Sequence, residues 1–205
     1  MARITKPPEE RKQEIIETAL ELFSEKGYEN TTIQDIAEKM NVAQGLCYRY
    51  FKSKQEIFAA SSDFYAQKAV EQMMASIQKE DSVIQKFNAI IKSLLTYAVK
   101  HSEFESTYKD EPEISAERVA RMAVHISDII TPIVQQGKEQ GVFGCEDVEN
   151  TVRLLSFGII NLVHNDMPKD NTKAHILSFV PTIKTVCKNI LQTEHSDIGT
   201  GWEQL

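Results

Sequence analysis

Apolar residues recur along this 205-residue chain at three- and four-residue intervals, and nowhere do they alternate in the period of two that builds strands. The first run, Ile15, Ile16, Ala19, Leu20, Leu22 and Phe23, predicts a helix over 9–26 with Glu10, Glu14, Glu17 and Glu21 on its wet side and Gly27 as its stop. Pro7 and Pro8 keep the preceding residues extended, so residues 1–8 read either as a frayed end or as a basic arm carrying Arg3 and Lys6. Ile33, Ile36, Ala37 and Met40 form the next helical face. Thr32 precedes it with Asp35 three residues on, the spacing of a capped start, which predicts a helix over 33–40. Asn41 stands where the chain must turn, and asparagine tolerates the left-handed conformation better than any residue but glycine. Val42 then tucks inward, and a helix over 44–50 follows, too short to persist without packing.

The pattern continues to the far end of the chain. Helices are expected over 55–77, 83–99 and 114–140, with a short one over 104–108; Pro132 should kink the helix it lies in. Two further helices, 148–164 and 174–191, are apolar around most of their circumference and need cover on more than one side; Pro181 interrupts the second. Residues 194–205, EHSDIGTGWEQL, read as a loose tail. The fold class is therefore all-α. Residues 9–54 form a small helical domain, residues 55–193 a larger one entered through a long helix, and 194–205 a tail.

Composition narrows the function classes. With 41% hydrophobic and 26% charged residues the chain is an ordinary globular protein. It has no apolar run of the roughly 20 residues that span a bilayer, and its N-terminus lacks the apolar core of a signal peptide, so a cytoplasmic location with no membrane partner is expected. Cys47, Cys145 and Cys187 are scattered, and the five histidines show neither HExxH nor zinc-finger spacing. There is no phosphate-binding glycine loop and no nucleophile and base at a recognisable spacing. No metal site, cofactor or catalytic residue is expected, and the protein is not read as an enzyme. The net charge of −7 argues against nucleic acid until its distribution is seen. Residues 1–58 hold nine Lys and Arg against ten Asp and Glu, whereas 59–205 hold fourteen against twenty. Residues 39–55 contain Lys39, Arg49, Lys52 and Lys54 and no acid.

Two short helices joined at Asn41-Val42, the second rich in Tyr and Arg inside that basic window, make a helix-turn-helix. The run ALELFSEKGYENTTIQDIAEKMNV, followed by Gly45, Tyr48, Phe51, Lys54 and the Ile57-Phe58 pair, resembles the DNA-binding domain of the TetR family of bacterial transcriptional regulators. The resemblance is specific over about 48 residues and elsewhere rests on helix number and length. It implies a repressor that binds a palindromic double-stranded DNA operator, pairs as a homodimer through its last two helices, and is released when an unidentified small molecule fills the C-terminal domain. It places Thr32, Tyr48, Lys52 and Lys54 at the DNA backbone, a role suited to hydroxyl and cationic donors. Gln44 and Arg49 have the chemistry to read adenine and guanine edges, and Gly45 permits close approach to the duplex. Leu46 either meets a thymine methyl or fills volume that Cys47 leaves. Tyr50 either contacts DNA or packs. The chain departs from the family in having Ala43 where a capping hydroxyl is common and Asn41 where glycine is common.

The effector half is less explicit. Phe64, Phe87, Tyr97, Phe104, Tyr108, Met122, His125, Phe157 and Asn161 combine apolar bulk with polar handles and are the candidate pocket. Residues 103–117 hold six acids and one base, either a solvated segment or an attraction for cationic ligands. The alternative from another class is a helical ligand-binding or assembly protein in which the helix-turn-helix is not the main activity.

Overall fold

A computed structural model describes residues 6–101, 112–164, 168 and 170–205. Among them are eight α-helices and no strand: α1 (Pro8–Lys26), α2 (Ile33–Lys39), α3 (Gln44–Tyr48), α4 (Lys54–Met74), α5 (Val83–Lys100), α6 (Pro112–Glu139), α7 (Val148–His164) and α8 (Thr172–Leu191). The short helix expected over 104–108 lies outside the described residues. The chain forms two compact units, Met1–Tyr65 and Ala66–Leu205, whose boundary falls within α4.

In the first unit, local sequence sets each turn. Pro8 opens α1, and Gly27 ends it at φ 82°, its amide bonded to the Phe23 carbonyl. The Thr32 hydroxyl accepts from the Asp35 amide while the Asp35 carboxylate accepts from the Thr32 amide at 2.7 Å, a reciprocal cap that satisfies two donors α2 would otherwise leave bare. Asn41 sits at φ 54°, the left-handed conformation expected of it. α3 starts at Ala43 without a side-chain cap and is two residues shorter than its sequence pattern suggests. Packing supplies what the cap does not: Cys47 and Phe51 are buried with Ile15, Phe23, Ile36, Ile57 and Phe58. The buried Ser61 hydroxyl ties α4 to α1 through the Ile16 carbonyl at 3.2 Å.

In the second unit, the Ser82 and Gln85 pair forms another reciprocal cap at the start of α5, and α6 and α7 make its most extensive helix pairing. α6 runs through Pro132, and α8 runs through Pro181 without the interruption expected there. Phe143 lies so close to α6 that a Cβ on Gly137 would stand 2.2 Å from its ring, which only glycine permits.

Residues 194–205 are not the loose tail the composition suggests. They form turns whose Ile198 and Trp202 are completely buried. Trp202 packs on Phe87, which packs on Phe143, with ring centroids 6.4 and 6.2 Å apart. Asn88 fastens the segment. Its amide donates to the Asp197 carbonyl at 2.7 Å, its side-chain oxygen accepts from the Gly199 amide at 2.9 Å, and its backbone carbonyl accepts from the Trp202 indole at 3.1 Å. Small polar and glycine residues surround one indole here, so average composition hides the contribution of the largest side chain.

Candidate nucleic-acid interface

α3 presents most of its side chains outward. Gln44, Gly45 and Arg49 are exposed, and Tyr48 is 52% exposed. Leu46 and Tyr50 are half-buried, and only Cys47 is fully enclosed. Burial raises the Cys47 thiol above its ordinary pKa, which keeps it neutral. A Cβ on Gly45 would meet nothing within 4 Å, so the fold itself imposes no need for glycine at that position. An exposed tyrosine, a glutamine and an arginine on one short helix, beside a glycine with empty space over it, constitute a surface suited to an edge-bearing polyanion.

The basic window is weaker in space than in sequence. Lys39 reaches Glu21 and Glu25 of α1, each at 3.2 Å, and hydrogen bonds to Glu25 and then Glu21 raise its pKa. The acids missing from the linear window come from a helix fourteen and eighteen residues upstream. Lys54 is half-buried and donates to the carbonyls of Tyr28 and Glu29. Arg49 and Lys52 are exposed, and among the described residues neither side chain pairs with a carboxylate. Thr32 is exposed, with its hydroxyl engaged in the cap of α2, where hydroxyl and Asp35 oxygen lie 2.7 Å apart. The same bonds, from the Thr32 side chain first and its amide second, hold the Asp35 carboxyl below its usual pKa.

The segment 15–61, which carries all of these features, matches the family model described as bacterial regulatory proteins, tetR family. Over this segment the chain is similar to the TetR family. The uncharacterized HTH-type transcriptional regulator YuxN of Bacillus subtilis strain 168 is 28% identical over 131 residues, 59% of this chain and 45% of that protein. IcaR of Staphylococcus aureus, the negative transcriptional regulator of the biofilm operon icaADBC, is 46% identical over 50 residues, 24% of this chain and 27% of IcaR. The chain thus spans about half or less of the length of these curated relatives. The fold extends further than the sequence likeness. FadR of Bacillus subtilis, solved with stearoyl-CoA, superimposes with a TM-score of 0.59 at 19% identity over 89% of this chain and 99% of that one.

The candidate pocket residues do not share one setting. Phe87 belongs to the aromatic core around Trp202, a role its helical spacing could not distinguish from a pocket wall. Tyr97 is buried and stacks on His101 with centroids 4.1 Å apart, and Met122 is buried. Phe64 and His125 are half-buried and Asn161 is exposed; Phe104 and Tyr108 lie outside the described residues. Of the set, Phe157 alone lines either of two clefts in the second unit. Its cleft, about 710 Å³, is shared with Val124, Thr131, Pro132 and Arg153. The other, about 780 Å³, is walled by Ser82, Asn88, Lys92 and His195 and includes part of the C-terminal segment, which sequence reasoning had set aside. Among the described residues no cluster of three or more His, Cys, Asp or Glu is arranged to hold a metal, and no helix is long and apolar enough to cross a membrane.

Proposed function

We propose that this chain is a homodimeric DNA-binding transcriptional repressor whose operator affinity falls when a small molecule binds its C-terminal domain. The outward array of Gln44, Tyr48 and Arg49 around Gly45 carries the reading. The division of labour is DNA binding in 9–54 and effector binding and pairing in 55–193, with 194–205 part of the latter. Leu154 at 63% exposure and Leu162 and Val186 at 37% leave apolar surface on α7 and α8 that a second copy would cover. A two-fold axis through such a pairing presents two copies of α3 to half-sites roughly 34–36 Å apart, one turn of B-DNA. The effector acts only through its difference in affinity between the DNA-competent and incompetent dimers. An apolar or mixed effector suits the 710 Å³ cleft, in keeping with the acyl ligand carried by the FadR neighbour.

The test is fluorescence anisotropy with fragments of the DNA upstream of the chain's own gene at low salt. Saturable binding to one palindrome, competed poorly by unrelated DNA, is expected. Absence of a preferred fragment overturns the repressor reading, as does a monomer in sedimentation at binding concentrations.

A further inference from the structure

We propose that Lys54 is a positioning residue of the DNA-binding unit and not one of its phosphate contacts, an inference that rests on the DNA-binding function proposed above. Its ammonium is held from several sides. It donates to the Tyr28 carbonyl at 3.0 Å and the Glu29 carbonyl at 3.4 Å, and it stands 4.2 Å from the centroid of the Tyr28 ring. That ring rests on two fully buried ones, with centroids 5.0 Å from Phe58 and 5.5 Å from Phe23. A lysine ammonium has three donors and no acceptor. Here two of them meet carbonyls and the charge faces an aromatic surface. The carbonyls lie just beyond the C-terminal end of α1, where the helix dipole favours a cation. Two of the three donors are thereby committed within the protein, so a phosphate would compete with the clamp for this ammonium.

The partners form the turn from which the helix-turn-helix departs. The Tyr28 carbonyl also accepts the Thr31 amide at 3.1 Å, and the buried Thr31 hydroxyl donates to the Gly27 carbonyl at 2.8 Å. Thr32 follows at once as the cap of α2, and α2 leads through Asn41 into α3. Lys54, the first residue of α4, therefore clamps the origin of α2 to the helix on the other side of the reading helix. Exposed Lys52, two residues earlier, is the cation left available for phosphate.

Counterion release separates the two roles, since each phosphate neutralised contributes about 0.9 to the slope of log affinity against log salt. The full chain, its Lys54→Met variant and its Lys52→Ala variant are titrated against the palindrome that the wild type selects, from 50 to 200 mM salt, well below every melting temperature. We expect Lys54→Met to lose on the order of tenfold in affinity at each salt concentration with an unchanged slope, and to melt roughly 2–4 °C lower. Lys52→Ala should lower the slope by about 0.9 and leave melting unchanged. A slope reduced by about 0.9 in Lys54→Met, or an unchanged affinity with a lowered melting temperature, overturns the proposal. Should Lys54→Met not fold, Lys54→Gln, which keeps an N–H donor for the Tyr28 carbonyl and loses the charge, is judged by the same slope. A wild type that selects no DNA sinks the regulator reading itself, a result distinct from a slope change in a variant.

Discussion

α3 and the segment 194–205 spend their side chains in opposite ways. α3 is a regular helix of five residues that buries only Cys47. The segment 194–205 has no α-helix, yet it buries Ile198 and Trp202 completely. Regular backbone structure and burial are therefore separate properties. A short exposed helix can leave its unbonded end amides to water and its side chains free for a partner. A segment of turns needs outside partners for its polar groups, and Asn88 supplies them. Changes in the two places should divide between binding and stability.

The largest expected effect tests the buried side of that contrast. Trp202→Ala removes an indole that is 0% exposed together with its hydrogen bond to the Asn88 carbonyl, and should destabilise the second unit by about 3–5 kcal/mol in urea unfolding followed by circular dichroism. A loss below about 1 kcal/mol would mean that the segment contributes little and the contrast fails.

Gly45→Ala probes the exposed side. Because an added Cβ meets no neighbour, the substitution should leave the fold unchanged or more stable by up to about 1 kcal/mol. Affinity for DNA should nevertheless fall, since the methyl group occupies the approach to the duplex. Unchanged affinity in anisotropy titrations would show that the helix does not come that close.

The smallest effect concerns acid. The Asp35 carboxyl is held below its usual range by the Thr32 hydroxyl and amide, so its stabilising cap is fully present above the unfolded carboxyl value of about 3.9 and is lost as pH falls through the lower folded one. The difference in urea midpoint between the wild type and Asp35→Asn should be constant from about pH 5 to 8 and shrink progressively as pH falls below about 4. A difference that persists in acid would place the origin of the cap outside ionisation.

What the sequence revealed correctly was local. The Thr32 and Asp35 cap, the left-handed Asn41 and the Gly27 stop each depend on residues within three or four positions, and all three stand as expected. The all-helical class followed from periodicity of similarly short range. What it hid depends on distant pairing. Lys39 looks unopposed until α1 brings Glu21 and Glu25 beside it. Lys54 looks like a surface cation until the Tyr28 turn closes over it. Phe87 has the spacing of a pocket residue, and only the return of Trp202 shows it to be core. Leu46, open between two roles in sequence, is half-buried, which fits either of them.

The Asn88 fastening also bears on how the protein assembles itself in time. Its bonds to Gly199 and Trp202 join residues 111 and 114 positions apart, whereas the Ser61 to Ile16 bond in the first unit spans 45. Loop closure must precede the gain from such contacts, and chains rich in distant pairings fold more slowly. In refolding, the first unit is therefore expected to complete its core ahead of the second, whose fastening joins residues more than a hundred positions apart. A stopped-flow experiment should then find the fold of the proposed reading head formed before that of the domain proposed to govern it.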